Sequence, residues 1–422
     1  GQALRNSAVP DARWAERMEF ESQTFIFPAD GNCSGKGSSR WSFFQTSLIK
    51  VQKVSIILFV FLISFLMTLP LPAIADSARE ISTSSKEQQA ASSQNSLEQL
   101  DRVLKSLERF DHSQGEGPAL ALDRLIFSLK DDQALRLAAE KKLLQFFAGP
   151  VTRDARIAVS KPLSWIAGSE SVKALSPFIT DPEKSDPARF VLERIPGDEA
   201  SAALIAALEK APAEVMPGII SSLGHRRATA AVPELEKLLK KNPLPPVVVT
   251  AVEALGNIGG SAASDILLNY LKSGDEKIRL LAADSLLRAA NREIENRQHE
   301  AASAIASSLL KATLTPAEKL AAWRVKILAA GDNYEGEIQA ALKSRDDLAR
   351  QAAIGVIPRL VSQDKIDSYL GFFSGLPDSL QVQIAAVLAN YPVQTAREYL
   401  VNLAAKSPAP EVRTEAIVSL GK

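Results

Sequence analysis

The chain has 422 residues, 46% of them hydrophobic and 23% charged, enough apolar material to bury a sizeable core. Forty-nine Lys and Arg balance forty-nine Asp and Glu, so no overall field draws the chain toward nucleic acid or an anionic membrane. Its one cysteine, Cys33, lies upstream of the repeats described below; this excludes a disulfide framework, a thiolate metal site and covalent haem attachment there.

In chain order, residues 1–47 mix Trp, Phe, Gly and Arg without helical or strand periodicity and read as a non-native or disordered leader. Residues 48–75 read as a secretory signal. Lys50 and Lys53 form a basic start, residues 54–69 are apolar apart from Ser and Thr, Pro70 and Pro72 break the helix, and Ala73-Ile74-Ala75 offers a small-x-small cleavage pattern. The apolar stretch is about sixteen residues, short of the ~20 that span a bilayer, so cleavage after Ala75 and a periplasmic or secreted product are expected, with no stable membrane span. The true start then falls near Leu48 or Val51. Residues 76–95, rich in Ser, Gln and Ala, read as a flexible linker.

From residue 96 the pattern is helical. Leu97, Leu100, Val103, Leu104 and Leu107 mark an amphipathic helix, and residues 119–147 an irregular first repeat. A thirteen-residue window that opens and closes on leucine then recurs. It reads LSWIAGSESVKAL at 163–175, LERIPGDEASAAL at 192–204, LGHRRATAAVPEL at 223–235, LGNIGGSAASDIL at 255–267 and LANYPVQTAREYL at 388–400. The first four openers are 29, 31 and 32 residues apart (192−163, 223−192, 255−223), the drifting period of a stacked repeat.

Around Leu255 the unit resolves into helices. Val248, Val252, Leu255 and Ile258 line one face, Gly256, Gly259 and Gly260 break it, and Asp275 is a fit N-cap for the helix carrying Ile278, Leu281, Ala282 and Leu286. Each period is thus two short antiparallel helices, and one such pair cannot bury its apolar stripe alone. Asn291–Glu300 (NREIENRQHE) lengthens a helix or loop, and the rhythm resumes at Leu328, Ile357, Leu388 and Leu420. Leu420-Gly421 looks like the opening of a further window, which leads us to expect a chain that continues past Lys422.

ARFVLERIPGDEASAAL at 188–204 and SSLGHRRATAAVPEL at 221–235 resemble the HEAT-repeat family in its bacterial, HEAT-like (PBS-lyase-type) form, especially secreted members. The resemblance implies an all-α, right-handed α-α superhelical solenoid of HEAT-like helical hairpins over 96–422, about eight or nine pairs. It also implies a binding scaffold with a protein partner, no catalytic residues and no cofactor. Such repeats are sometimes one module of a longer secreted sugar-processing or redox enzyme, which is the second reading.

Chemistry-bearing residues are sparse. Asp132/Arg136, Asp186/Arg189, Asp275/Arg279 and Asp347/Arg350 recur at helix starts and read as caps with an arginine bridging stacked repeats. His112, His225 and His299 stand at no metal-ligating spacing. Two enzymes built on similar repeats fit poorly: deoxyhypusine hydroxylase needs several His-Glu steps where only His299-Glu300 occurs, and phycobilin lyases act on cysteine-attached pigments. The strongest local candidate is His225-Arg226-Arg227, three polar donors in an inter-helix turn where sister windows carry Trp165-Ile166 or Asn257-Ile258. With Arg194 and Arg288 in adjoining repeats they form a sparse polar row that could grip a partner's carboxylate or carbonyl.

Overall fold

The structure is a computed structural model that describes residues 91–422 apart from Asn242 and Gly274. The leader, the signal and most of the linker lie outside the described residues. Residues 91–95, assigned above to the linker, are already helical: the first helix, α1, covers 91–107. Thereafter come α2 (Gly117–Leu129), α3 (Gln133–Ala148), α4 (Arg153–Ile166), α5 (Ser169–Leu175), α6 (Ser185–Leu192), α7 (Glu199–Leu208), α8 (Met216–His225) and α9 (Val232–Lys240). The series continues with α10 (Pro245–Ile258), α11 (Ser261–Tyr270), α12 (Glu276–Glu295), α13 (His299–Leu310), α14 (Pro316–Leu328) and α15 (Tyr334–Leu342). It ends with α16 (Asp347–Leu360), α17 (Asp367–Phe373), α18 (Asp378–Leu388), α19 (Gln394–Lys406) and α20 (Pro410–Leu420). No strand occurs among the described residues.

Helix starts are written in familiar chemistry. Asp132 accepts from the Ala134 and Leu135 amides, Thr152 from Ala155 and Asp275 from Ile278, and Thr315 with Glu318 forms a capping box. Proline occupies the first turn of α2, α8, α9, α10, α14 and α20, where its missing N–H costs nothing.

Helices that pack extensively are neighbours in sequence or next but one. From α2 to α20 each even-numbered helix therefore packs on the next even-numbered one to form a continuous layer, with the odd-numbered helices alongside it. The even layer is closely spaced because small residues face each other. A Cβ on Gly224 would stand 2.9 Å from the Ala254 Cα, and one on Gly256 2.8 Å from the Ser285 Cα. Gly256 lies within α10, so its function is close helix approach, not helix termination. The left-handed turn belongs to Gly259 and Gly260, at φ 72° and 84°.

The polar insertion is absorbed by α12, which at 20 residues is six longer than α10 at 14, and His299 opens α13 instead of closing the insertion. The buried apolar residues form two clusters that meet inside α14. Ala322 and Val325 close the first, and Ile327 opens the second.

Candidate functional site

The fourth residue of the window determines how adjacent repeats are joined. Ile166, Ile195 and Ile258 are buried there, as apolar contact alone requires. Arg226 and Tyr391 occupy the same position and do something different. Arg226 follows α8 directly and reaches back across the stack. Its Nη1 donates to the Leu192 and Ile195 carbonyls at 2.6 Å each and to that of Glu193 at 3.2 Å; Nη2 donates to the Gly197 carbonyl at 2.5 Å and Nε to the Ser201 hydroxyl at 2.9 Å. These are the carbonyls left orphaned where α6 ends. Tyr391 caps α16 in the same way, its hydroxyl donating to the Ile357 and Val361 carbonyls at 3.0 and 2.9 Å. Arg226 is therefore a staple between repeats, and the expectation that it belongs to a partner-gripping row is corrected by its own contacts.

Its two neighbours differ sharply from it. Arg227 adopts φ 55° where Gly197 and Gly259 supply the left-handed residue in sister repeats, and its side chain is exposed. No hydrogen bond from its guanidinium is found among the described residues. His225 is the last residue of α8, not part of the turn, because the helix runs three residues beyond Ser222. Its imidazole is exposed, with Nδ1 3.7 Å from Glu193 Oε2. That carboxylate raises the His225 pKa above its ordinary 6.5.

Glu193 is the hub that sequence reasoning missed. Its carboxylate accepts from the Ser222 hydroxyl at 2.7 Å and lies 3.7 Å from both His225 Nδ1 and Arg194 Nη1. Burial pushes its pKa upward, but the His225 and Ser222 contacts outweigh that and hold it below the usual carboxylate value. Behind it, Arg189 donates to Ser222 Oγ at 3.0 Å and to the Gly218 carbonyl at 2.8 Å, and pairs with Asp186. Gly218 clears the space: a Cβ there would sit 2.3 Å from Arg189 Nη2.

Of the four acid–arginine pairs, Arg189 alone has its inter-repeat contacts resolved. Asp132 and Asp275 are caps, whereas Asp347 pairs with Arg350 and the cap at that helix is Asp346. Arg194 folds over the Phe190 ring at 3.6 Å and donates to the Phe190 carbonyl at 2.8 Å. Arg288 pairs with Asp284 and donates to Ser285 Oγ at 2.8 Å on its own helix. The structure thus brings Arg194 and His225 together at Glu193 and leaves Arg288 on α12, apart from that hub.

Two exposed aromatics complete the surface. Phe127 on α2 and Trp165 on α4 are 62% and 39% exposed and meet edge to face at 6.3 Å. Lys130 lies over Phe127 at 4.7 Å and Lys161 over Trp165 at 5.6 Å. Sequence reading placed Trp165 among the apolar residues of the window, and nothing in the sequence separated it or Phe127 from core aromatics. Among the described residues no group of three or more His, Cys, Asp or Glu side chains stands close enough to hold a metal ion.

Helical pairs that bury their apolar faces only against adjacent pairs define an α-solenoid. Residues 201–287 match the family model for HEAT repeats. No curated protein matches the chain. Among solved structures it is similar to human deoxyhypusine hydroxylase in complex with glycerol, at 20% identity, over 60% of this chain and 95% of that one, with a TM-score of 0.28. It is also similar to the karyopherin Kap121p bound to the extreme C-terminus of the phosphatase Cdc14p, at 12% identity over 83% and 45% of the two chains, TM-score 0.39. Kap121p bound to Pho4p gives 12%, 75%, 41% and 0.43 in the same order, so the chain spans less than half of Kap121p. None of these similarities bears on activity.

Proposed function

We propose that this chain is an exported, non-catalytic HEAT-repeat scaffold that holds an extended protein partner along the exposed edge of its even-numbered helices. The observation that carries this reading is the run of exposed Phe127 on α2, Trp165 on α4, Arg194 in the turn just after α6 and His225 at the end of α8. Large exposed aromatics set among polar groups mark contact surfaces, where a single scattered apolar residue would not. Export rests on the basic, apolar and small-x-small segments between Lys50 and Ala75.

A photo-crosslinking residue at Trp165 or at His225 should yield the same protein adduct in source cells. The same residue at Leu137, exposed on the odd helix α3, should yield none. Equal adducts from Leu137, or none from either even-layer position, would overturn the scaffold reading. Export predicts that protein recovered outside the cytoplasm begins at Asp76; an intact residue 50–75 segment on that protein would refute it.

A further inference from the structure

Two arginines lie close together at the turns of adjoining repeats, and the protein supplies neither with an acceptor. Arg227 has a left-handed backbone at φ 55°, an exposed side chain and no hydrogen bond from its guanidinium among the described residues. Strain of this kind collects at ligand-binding positions, where the surrounding structure over-determines it. Its turn follows α8, whose Gly224 abuts Ala254 of α10, and α10 in turn ends at Gly259. Arg292, in the last turn of α12, reaches back to that same end: a Cβ on Gly259 would stand 3.0 Å from its Cδ and 3.7 Å from its Nε.

Arg226 makes a similar backward reach and finds four carbonyls and a hydroxyl. Arg292 finds none. Its Nε and Nη1 are both buried without a hydrogen-bond partner, and no other described side chain has two such atoms. Glu293, the next residue, turns its carboxylate to the Gly260 amide at 2.9 Å instead. Burial and then the Arg227 charge hold the Arg292 pKa below its ordinary value, while Glu295 and Glu293 act the other way. A buried charged donor with no acceptor is costly and calls for a ligand.

We propose that Arg227 and Arg292 together bind a carboxylate presented by an acidic segment of a protein partner, each guanidinium donating to it. The planar fork of arginine matches the two oxygens of a carboxylate, and an anion between two like charges relieves their repulsion. Glu293 and Glu295 limit the positive field, which favours a singly charged carboxylate over a phosphate dianion. The site adjoins exposed His225, so an extended partner on the even-helix edge passes it.

This inference rests on the scaffold reading, to which it adds the partner's chemistry, and can fail separately from it. The full chain is titrated by fluorescence anisotropy against a labelled peptide of about ten residues alternating Glu and Gly, with the Gln-Gly peptide as control. Saturable binding of the acidic peptide alone is expected, weakened about tenfold in Arg227→Gly and in Arg292→Met. Arg227→Gly relieves a strained backbone and Arg292→Met removes buried donors that have no partner. Neither variant should therefore unfold below the parent midpoint, which separates lost binding from lost folding. Lys240→Ala, on exposed odd-helix surface outside the site, should bind like the parent. No saturable binding at millimolar peptide, equal binding of the Gln-Gly peptide, or an affinity within twofold of the parent in either arginine variant would overturn the proposal. So would a lowered midpoint in Arg292→Met, an equal loss in Lys240→Ala, or displacement of the peptide by an equal concentration of glutarate or inorganic phosphate. If the acidic peptide fails while crosslinks from Trp165 and His225 persist, only the partner's chemistry is refuted.

Discussion

Replacing Arg226 by alanine tests the staple between α6 and α8. The guanidinium contacts four carbonyl oxygens and one hydroxyl of the preceding repeat, three of them at 2.6 Å or closer. A hydrogen bond to a charged group contributes about 1.5–3 kcal/mol net, but the side chain is only half-buried and water can reach part of the gap. Counting one or two bonds as irreplaceable gives a loss of about 1.5–6 kcal/mol. Lysine, with one ammonium in place of the planar fork, should recover less than half of it. Equilibrium urea unfolding reads the total, and amide exchange in α6 and α7 should accelerate more than in α16 and α17 if the loss is local, as nearest-neighbour stacking requires. A loss below about 0.5 kcal/mol, or exchange that rises uniformly, would refute the assignment of Arg226 to the stack.

The adjacent residue should behave oppositely. Arg227→Gly relieves a left-handed backbone at φ 55° and should be neutral or stabilising by up to about 1 kcal/mol in the same unfolding measurement. His225 has a raised folded pKa, so its pairing with Glu193 stabilises fully below about pH 6.5 and is lost as pH rises through that raised value. His225→Gln should abolish this decline; identical pH profiles of stability for parent and variant would contradict the pairing. Gly256→Ala gains about 1 kcal/mol of helix propensity but drives a Cβ to 2.8 Å from the Ser285 Cα, so a net loss of about 1–3 kcal/mol is expected in thermal or urea unfolding. Tyr391→Phe removes both carbonyl contacts of α16 and should cost about 1–3 kcal/mol, measured the same way.

The architecture was legible because the repeat is written in side chains, with leucine openers at a drifting period and glycine at the turn, although Gly256 was read as a break and proved to be a close-approach residue inside α10. The insertion at Asn291 was legible for the same reason and became an extended α12. The role of Arg226 was not, because its acceptors are main-chain carbonyls between Leu192 and Gly197, which have no residue identity to read. Glu293 and Glu140 escaped notice likewise, each buried and accepting a backbone amide, from Gly260 at 2.9 Å and Gly168 at 2.8 Å. Arg227 was grouped with Arg226 by adjacency, yet a single turn sends the two in different directions. Only where polar residues replaced the usual apolar or small ones, as at Arg194 and His225, did the pattern point toward a surface.

The meeting of two apolar clusters inside α14 bears on how the molecule would respond to load. Elsewhere a continuous oily seam resists shear, whereas between Val325 and Ile327 that seam changes hands within a single helix. Because α14 itself packs extensively against α12, α13 and α16, a pull on both ends would pass from one cluster to the other through this single helix. Trp323, whose indole nitrogen donates to Asp346 at 3.2 Å, sits on that joint as a built-in reporter.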